Sequence, residues 1–366
     1  MRSLIPTCVV ACAVAIFPNW SSPADATEPP RRTFELELNG KRIEGMPLTW
    51  SPQEISLLGR DGRLFSFAPK DAENYRQSSS SFQSYPSSVV RARLAQDLGK
   101  RFEVTSTGHY LVAHPAGERV NWSKRFEDLY RSFAIYFSVR GFTIKDPEFP
   151  LIAVVYHNQE EFMRAAAAEG SRVTSDVLGF YSQISNRIML YDRGGGNGNS
   201  ADWQQNAATI IHEATHQTAF NTGIHRRFSI TPRWLVEGLG TMFEAPGVWD
   251  SRAHPGREDR INRGRLNQFR EYTLPRWKAG ALQTLVGSDR LFESDSQAAY
   301  SEAWALSFFL FETQSRKYCD YLALTARRPV FETYSSAQRL ADFTSIFGSD
   351  FRMLESRFLR FIAELK

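Results

Sequence analysis

The stretch richest in chemistry is Ile210-Ile211-His212-Glu213-Ala214-Thr215-His216, a His-Glu-x-x-His set with helical spacing. Histidines four apart lie on one helix face about one turn apart, so both imidazoles reach one metal ion while the intervening glutamate lies beside it. That is the spacing a zinc site needs. The chain has 7 histidines in 366 residues, and a chance match to this pattern is roughly a one-in-a-hundred event. The competing reading, two ordinary histidines on a solvated face, is disfavoured because Ile210, Ile211 and Ala214 mark the segment as partly buried, and buried histidines need partners.

A catalytic zinc site takes three protein ligands and leaves a position for water, so one ligand must come from elsewhere. Thr231-Pro232-Arg233-Trp234-Leu235-Val236-Glu237-Gly238-Leu239-Gly240-Thr241-Met242-Phe243-Glu244 begins with a capping threonine and a proline at the first helical position, followed by helical spacing of apolar residues. It predicts a second helix. The chain between His216 and Glu237 is long enough for the first helix to end near Gly223 and for its partner to return. Glu237 sits in an apolar run where an unpaired charge is costly, which makes it the expected third ligand rather than a surface residue. Glu244, on nearly the same face, is the fallback.

Such a site activates a bound water and polarises a carbonyl, while a neighbouring glutamate accepts the water's proton and passes it to the leaving amine. Glu213 fits that base. For an oxyanion donor, Tyr300 is the first choice and His225 the second. The alternative for Tyr300 is a packing residue in a helix from Ala298 to Glu312, and for His225, beside Arg226 and Arg227, a solvated loop position.

On these residues the sequence resembles the gluzincin metallopeptidases, and within them the peptidase-MA-like group that includes an uncharacterised bacterial domain-of-unknown-function family. The resemblance rests on His212-Glu213-Ala214-Thr215-His216, on Pro232-Arg233-Trp234-Leu235-Val236-Glu237-Gly238-Leu239, and on Tyr300-Ser301-Glu302-Ala303-Trp304-Ala305-Leu306. It extends roughly from Arg101 to the C-terminus. The resemblance implies zinc (Zn2+) held by His212, His216 and Glu237, Glu213 as general base, and a peptide or protein substrate. It also implies that the strand near Phe180 to Tyr191 pairs with a peptide backbone. Thr241 departs from the thermolysin-type pattern, which has an aspartate four residues after the third ligand to orient a histidine.

The elements that must position these residues follow two patterns. From Arg31 to Lys70, alternation in Thr33-Phe34-Glu35-Leu36-Glu37-Leu38 and turns at Asn39-Gly40 and Asp61-Gly62 predict short antiparallel strands. Ser78 to Ser88 reads as a serine-rich linker. Beyond it, a helix over Val89 to Leu98, a strand over Arg101 to Ala113 and a helix over Asn121 to Arg140 are expected. A strand over Pro150 to Tyr156, a helix over Gln159 to Glu169 and a strand pair between Val177 and Asp192 follow. The glycine-rich Gly194 to Asn199 lacks a phosphate-loop ending and reads as a connection; from Asp202 the chain reads as helical. The expected class is α+β: a gluzincin-like core of a small mixed sheet, an active-site helix pair and a helical C-terminal lobe, preceded by a small β-rich module. The expected domains are residues 27–80 for the module and 81–366 for the metallopeptidase domain.

Composition narrows the rest. With 42% hydrophobic and 13% aromatic residues the chain can build a core. Its 44 basic and 40 acidic residues are interspersed and the net charge is +4, so nothing points to nucleic acid. Arg2, the apolar stretch Val9 to Phe17 and Ala24-Asp25-Ala26 read as a signal peptide over residues 1–26, predicting an exported protein, periplasmic or secreted, with no membrane span after cleavage. The tract Val9 to Cys12 is too close to the start for a normal lipoprotein cleavage box. Cys8 and Cys12 leave with the signal, so Cys319 remains as a small buried residue and cannot form an intramolecular disulfide. The functional expectation is an exported zinc-dependent peptidase. The alternative is a non-catalytic metal- or protein-binding module on the same fold, against which Glu213 argues, since a structural site needs no base beside its metal.

Overall fold

The computed structural model describes residues 31–171, 173–175, 177–192 and 200–366, with side chains in the last stretch from residue 207. The expected signal peptide and the glycine-rich segment 194–199 lie outside the described residues. The described chain divides into two compact units, residues 31–127 with 147–202 and residues 128–146 with 203–366.

The first unit opens with strands β1 (Thr33–Leu38), β2 (Lys41–Trp50), β3 (Ile55–Gly59), β4 (Leu64–Phe67) and β5 (Ala72–Ser79). They form an antiparallel sheet in the order β4-β3-β2-β1-β5. Asn39 and Gly40 both have positive φ, 52° and 71°, as a two-residue type I′ hairpin requires. Leu36, Ile55, Leu57 and Phe67 make this sheet's core. The expected linker begins later than its composition suggests, because Ser78 and Ser79 belong to β5, where Ser79 pairs with Thr33.

Helix α1 (Ser87–Leu98) leads into β6 (Phe102–Ser106) and β7 (Tyr110–Pro115), then α2 (Trp122–Ser138), β8 (Leu151–Tyr156), α3 (Gln159–Ala168), β9 (Gly179–Ser182) and β10 (Arg187–Tyr191). The single strand expected over Arg101 to Ala113 is a hairpin, turning at residues 107–109 so that Val104 faces Ala113. A second sheet has the order β6-β7-β8-β10-β9, with β7, β8 and β10 parallel and β6 and β9 antiparallel at its two edges. The first five residues of β8 are all buried, as the centre of such a sheet demands. Val90 and Leu94 of α1 pack on Ile152 and Val154, while Phe162 and Ala166 of α3 pack on Phe180 and Met189.

The second unit is helical: α4 (Ser200–Asn221), α5 (Arg233–Phe243), α6 (Pro246–Trp249), α7 (Arg263–Gln268), α8 (Ala281–Gly287), α9 (Arg290–Ser294), α10 (Ser296–Ala326), α11 (Ser336–Phe347) and α12 (Phe351–Glu364). Helix α10 starts on an Asp295 cap, whose carboxylate accepts from the Ala298 N–H, and breaks regular geometry at Gln314. Phe358 of α12 closes the core against Phe269, Trp277 and Phe309. The molecule is thus mixed α and β, strands early and helices late. Among the described residues no helix is long and apolar enough to cross a membrane. Cys319 is free and buried, and burial pushes its thiol up to about 11.

Candidate metal centre

From Thr209 to Phe220 every residue of α4 is buried, polar ones included. A polar helix buried all round must satisfy its side chains internally. Thr215 does so by donating to the Ile211 carbonyl at 2.7 Å. His212 and His216, four apart, bring their rings to 4.4 Å in a perpendicular arrangement.

Helix α5 is set against them by contacts distant in sequence. Thr231 does not cap it: its hydroxyl is buried without a hydrogen-bond partner. The Arg233 N–H instead donates to Asp289 Oδ1 at 3.0 Å, and Arg339 grips that carboxylate in a bidentate pair at 2.8 and 2.9 Å. Two glycines then permit close approach on either side of the helix. A Cβ on Gly240 would lie 2.7 Å from His212 Cε1, and one on Gly238 would lie 2.5 Å from the Ala303 carbonyl of α10. Neither position has room for alanine without displacement.

Glu237, one residue before Gly238 on the same helix, is fully buried. Its Oε2 lies 3.2 Å from His212 Nε2 and 3.5 Å from His216 Nε2, and the two Nε2 atoms are 2.9 Å apart. Its Oε1 makes no hydrogen bond among the described residues and lies 3.7 Å from Arg233 Nε. Glu244, the fallback ligand, sits on the opposite side of the His212 ring. A carboxylate can only accept there, so His212 Nδ1–H donates to Glu244 Oε1 at 2.9 Å, which turns Nε2 towards Glu237 and His216. Glu244 is itself held by Asn262 Nδ2 at 2.7 Å and Arg265 at 3.9 Å. Thr241 donates back to the Glu237 and Gly238 carbonyls. The orienting carboxylate absent at position 241 is therefore supplied by Glu244.

Burial opposes charge on all these groups, and their mutual pairing decides the outcome. Burial disfavours the His212 imidazolium, but hydrogen bonds to Glu237 and Glu244 outweigh it and push it up to about 10. Burial likewise raises Glu237, yet the two histidines hold it well below the usual carboxylate range. His216 is lowered by burial and by the charge of His212. The cluster is thus a field that favours one positive charge at the point where Nε2, Nε2 and Oε2 converge.

That field and geometry fit a zinc ion. Among the described residues, His212, His216 and Glu237 form the one group of three such side chains whose ligand atoms lie within 4.8 Å of one another. Tetrahedral ligands at about 2.0 to 2.1 Å from zinc lie about 3.3 Å apart, and the separations of 2.9, 3.2 and 3.5 Å bracket that value. Glu213, wholly buried on the same helix, adds a negative charge close enough to favour the His212 cation.

Tyr300 is also buried, on α10. Its ring meets Phe292 edge-on at 5.5 Å and lies 5.3 Å under the Arg265 guanidinium, the same group that approaches Glu244. His225 corrects the expectation of a solvated loop residue. It is buried, its backbone N–H donates to the Ala219 carbonyl, and its ring packs on Phe220 at 5.1 Å. Burial, and then the charge of His216, lowers its imidazole to about 3, so it is neutral. Sequence reasoning missed Asn262, Arg265, Asp289, Arg339 and Gly240. Only the Gly-x-Gly of Gly238 and Gly240 carried a local signal, since two glycines inside a helix are unfavourable unless close packing requires them.

Residues 206–332 match a family described as "Protein of unknown function (DUF1570)", a span that holds the whole cluster. No curated protein matches the chain. Among solved structures the chain is similar to an M1 zinc metallopeptidase from Deinococcus radiodurans, in a point-mutant form at 12% identity and a TM-score of 0.39, with 73% of this chain and 52% of that chain covered. The form without that mutation aligns at 13% identity and a TM-score of 0.38, covering 72% and 51%. The chain spans about half the length of these enzymes.

Proposed function

We propose that this protein is an exported zinc-dependent peptidase. The observation that carries the reading is the convergence of His212 Nε2, His216 Nε2 and Glu237 Oε2 within a buried cluster whose first histidine is oriented from behind by Glu244. A structural zinc site fills its fourth position with another Cys or His. Among the described residues no fourth side chain joins this group, while a carboxylate, Glu213, is buried next to His212 on α4.

Zinc bound here would supply Lewis acidity and a water of lowered pKa. The chain's own residues do the rest. His212, His216 and Glu237 would hold the ion, and Glu244, fixed by Asn262 and Arg265, keeps the His212 ring from turning. Glu213, buried beside His212 on α4, accepts a proton from water on its carboxylate and returns it to the leaving amine. Tyr300 donates its hydroxyl to the developing oxyanion. Export is read from residues 1–26 alone.

Metal analysis of protein purified without chelator tests the reading. About one zinc per chain is expected, lost in His212→Ala and Glu237→Ala. A zinc-free wild type, or a Glu237→Ala variant that keeps zinc while Glu244→Ala loses it, overturns the assignment. Digestion of a peptide library by the zinc-loaded protein separates peptidase from the non-catalytic alternative.

A further inference from the structure

The first unit holds a cleft of about 500 Å³ bordered by β2, the turn between β3 and β4, Phe65 of β4, Tyr85 ahead of α1 and Arg93 in the middle of α1. The volume lies within the usual range for small-ligand sites, roughly 300 to 1,000 Å³. Ile43 and Phe65 give it apolar surface, and Arg42, Glu44, Arg60, Asp61, Tyr85 and Arg93 supply everything polar.

Most of these polar groups are committed to one another. Arg60 pairs with Glu44 at 3.0 Å and donates Nε–H to the Gln83 carbonyl. The Tyr85 hydroxyl donates to the same Glu44 carboxylate at 3.1 Å, and the Tyr85 N–H is tied to the Arg60 carbonyl at 2.7 Å. Arg42 pairs with Glu35 on the neighbouring strand. Asp61 accepts the Arg63 N–H and closes its own turn.

Arg93 differs. Its guanidinium lies over the Tyr85 ring, 4.1 Å from the centroid, with Arg60 over the same ring at 4.3 Å. Among the described residues it has no carboxylate or carbonyl partner. Stacking holds the plane of a guanidinium while leaving its N–H edge directed outward, the arrangement that receives a planar carboxylate through two parallel hydrogen bonds. Arg60 answers Glu44 and Arg42 answers Glu35, so the one guanidinium with a positive charge to offer is that of Arg93. A monoanion neutralises it, whereas a dianion such as phosphate meets Glu44 and Asp61 uncompensated.

We propose that this cleft binds a monocarboxylate with an apolar body, a free acid or the C-terminal end of a peptide, the carboxylate on the Arg93 edge and the apolar group against Ile43 and Phe65. The site is independent of the metal centre and of the peptidase reading.

Calorimetric titration of the full chain with N-acetylphenylalanine tests this, with N-acetylphenylalanine amide and inorganic phosphate as controls. The acid is expected to bind in the millimolar range and the amide at least about tenfold more weakly, as the loss of a charge-assisted pair implies. Arg93→Gln should weaken the acid by about the same factor without moving the thermal midpoint, since the side chain is exposed. Arg93→Lys, which keeps the charge and loses the fork, should fall between. A short peptide with a free or an amidated C-terminus then distinguishes a peptide end from a small acid. No heat with the acid at millimolar concentration, equal binding of the amide, tighter binding of phosphate, or an Arg93→Gln protein that binds as wild type would each overturn the proposal.

Discussion

The α4–α5 cluster and the β2–α1 cleft both gather opposite charges, and they handle them in opposite ways. In the cluster the two histidines and Glu237 are buried and shared: Glu237 serves both histidines, and His212 is held from both sides. In the cleft most charges are paired at the surface and one guanidinium keeps an open edge. Burial makes electrostatic interactions strong and specific but intolerant of a missing partner. Exposure makes them weak and available. The first arrangement suits an ion and reacting groups that must not move; the second suits a ligand that comes and goes.

Four substitutions in the helical unit sharpen that contrast. Glu213→Gln keeps volume and removes the acceptor, so kcat should fall by about 10² to 10⁴-fold with zinc content unchanged. A variant that stays active would remove the base from the mechanism. Tyr300→Phe should lower kcat by about 10² to 10³-fold with little change in zinc content, as for one lost oxyanion donor. A purely packing role would instead appear as reduced stability at unchanged kcat per folded molecule.

Glu244→Gln leaves the three proposed ligands in place and weakens the hold on His212 Nδ1. Zinc affinity should drop by about 10 to 100-fold without being abolished. Complete loss of zinc, equal to that in Glu237→Ala, would mean that Glu244 binds the ion directly.

Glu302 of α10 provides the smallest effect and the cleanest contrast with Glu237. It too is buried, but its Oε2 has no hydrogen-bond partner, and burial with the charges of Asp295 and Glu355 pushes its carboxyl up to about 8. The folded state therefore binds a proton that the unfolded chain releases near pH 4.5, and stability falls as pH rises through the folded value. Denaturation of wild type should show a loss of about 1 to 2 kcal/mol between about pH 6 and pH 8. Glu302→Gln should flatten it; an unchanged pH profile would show that Glu302 is ionised in the folded protein.

Parts of this architecture were open to reading from the chain alone because they are local. Alternation and an Asn-Gly turn specify β1 and β2, and an i,i+4 pair specifies which ring faces which. The hairpin of β6 and β7 escaped because both arms are rich in strand formers and the turn at residues 107–109 is short. The serines of β5 read as linker because composition reports side chains, while a strand at a sheet edge is made by backbone pairing with β1.

His225 shows the same limit from the other direction. Its arginine neighbours suggest solvent, yet Phe220 and the turn at Ala219 enclose it. Burial is a property of what packs above a residue, and sequence neighbours do not report it.

What the sequence determined by itself is which side chains can converge, since the i,i+4 spacing puts His212 and His216 on one face of α4 and an apolar run carries Glu237 into the interior beside them. Tertiary structure alone decided how that set is held. Asn262 reaches Glu244 across 18 positions, Asp289 reaches the start of α5 across 56, and Arg339 reaches Asp289 across 50. No periodicity connects such residues. Their partnership exists only once α5 has packed closely against α10 through Gly238 and against α4 through Gly240.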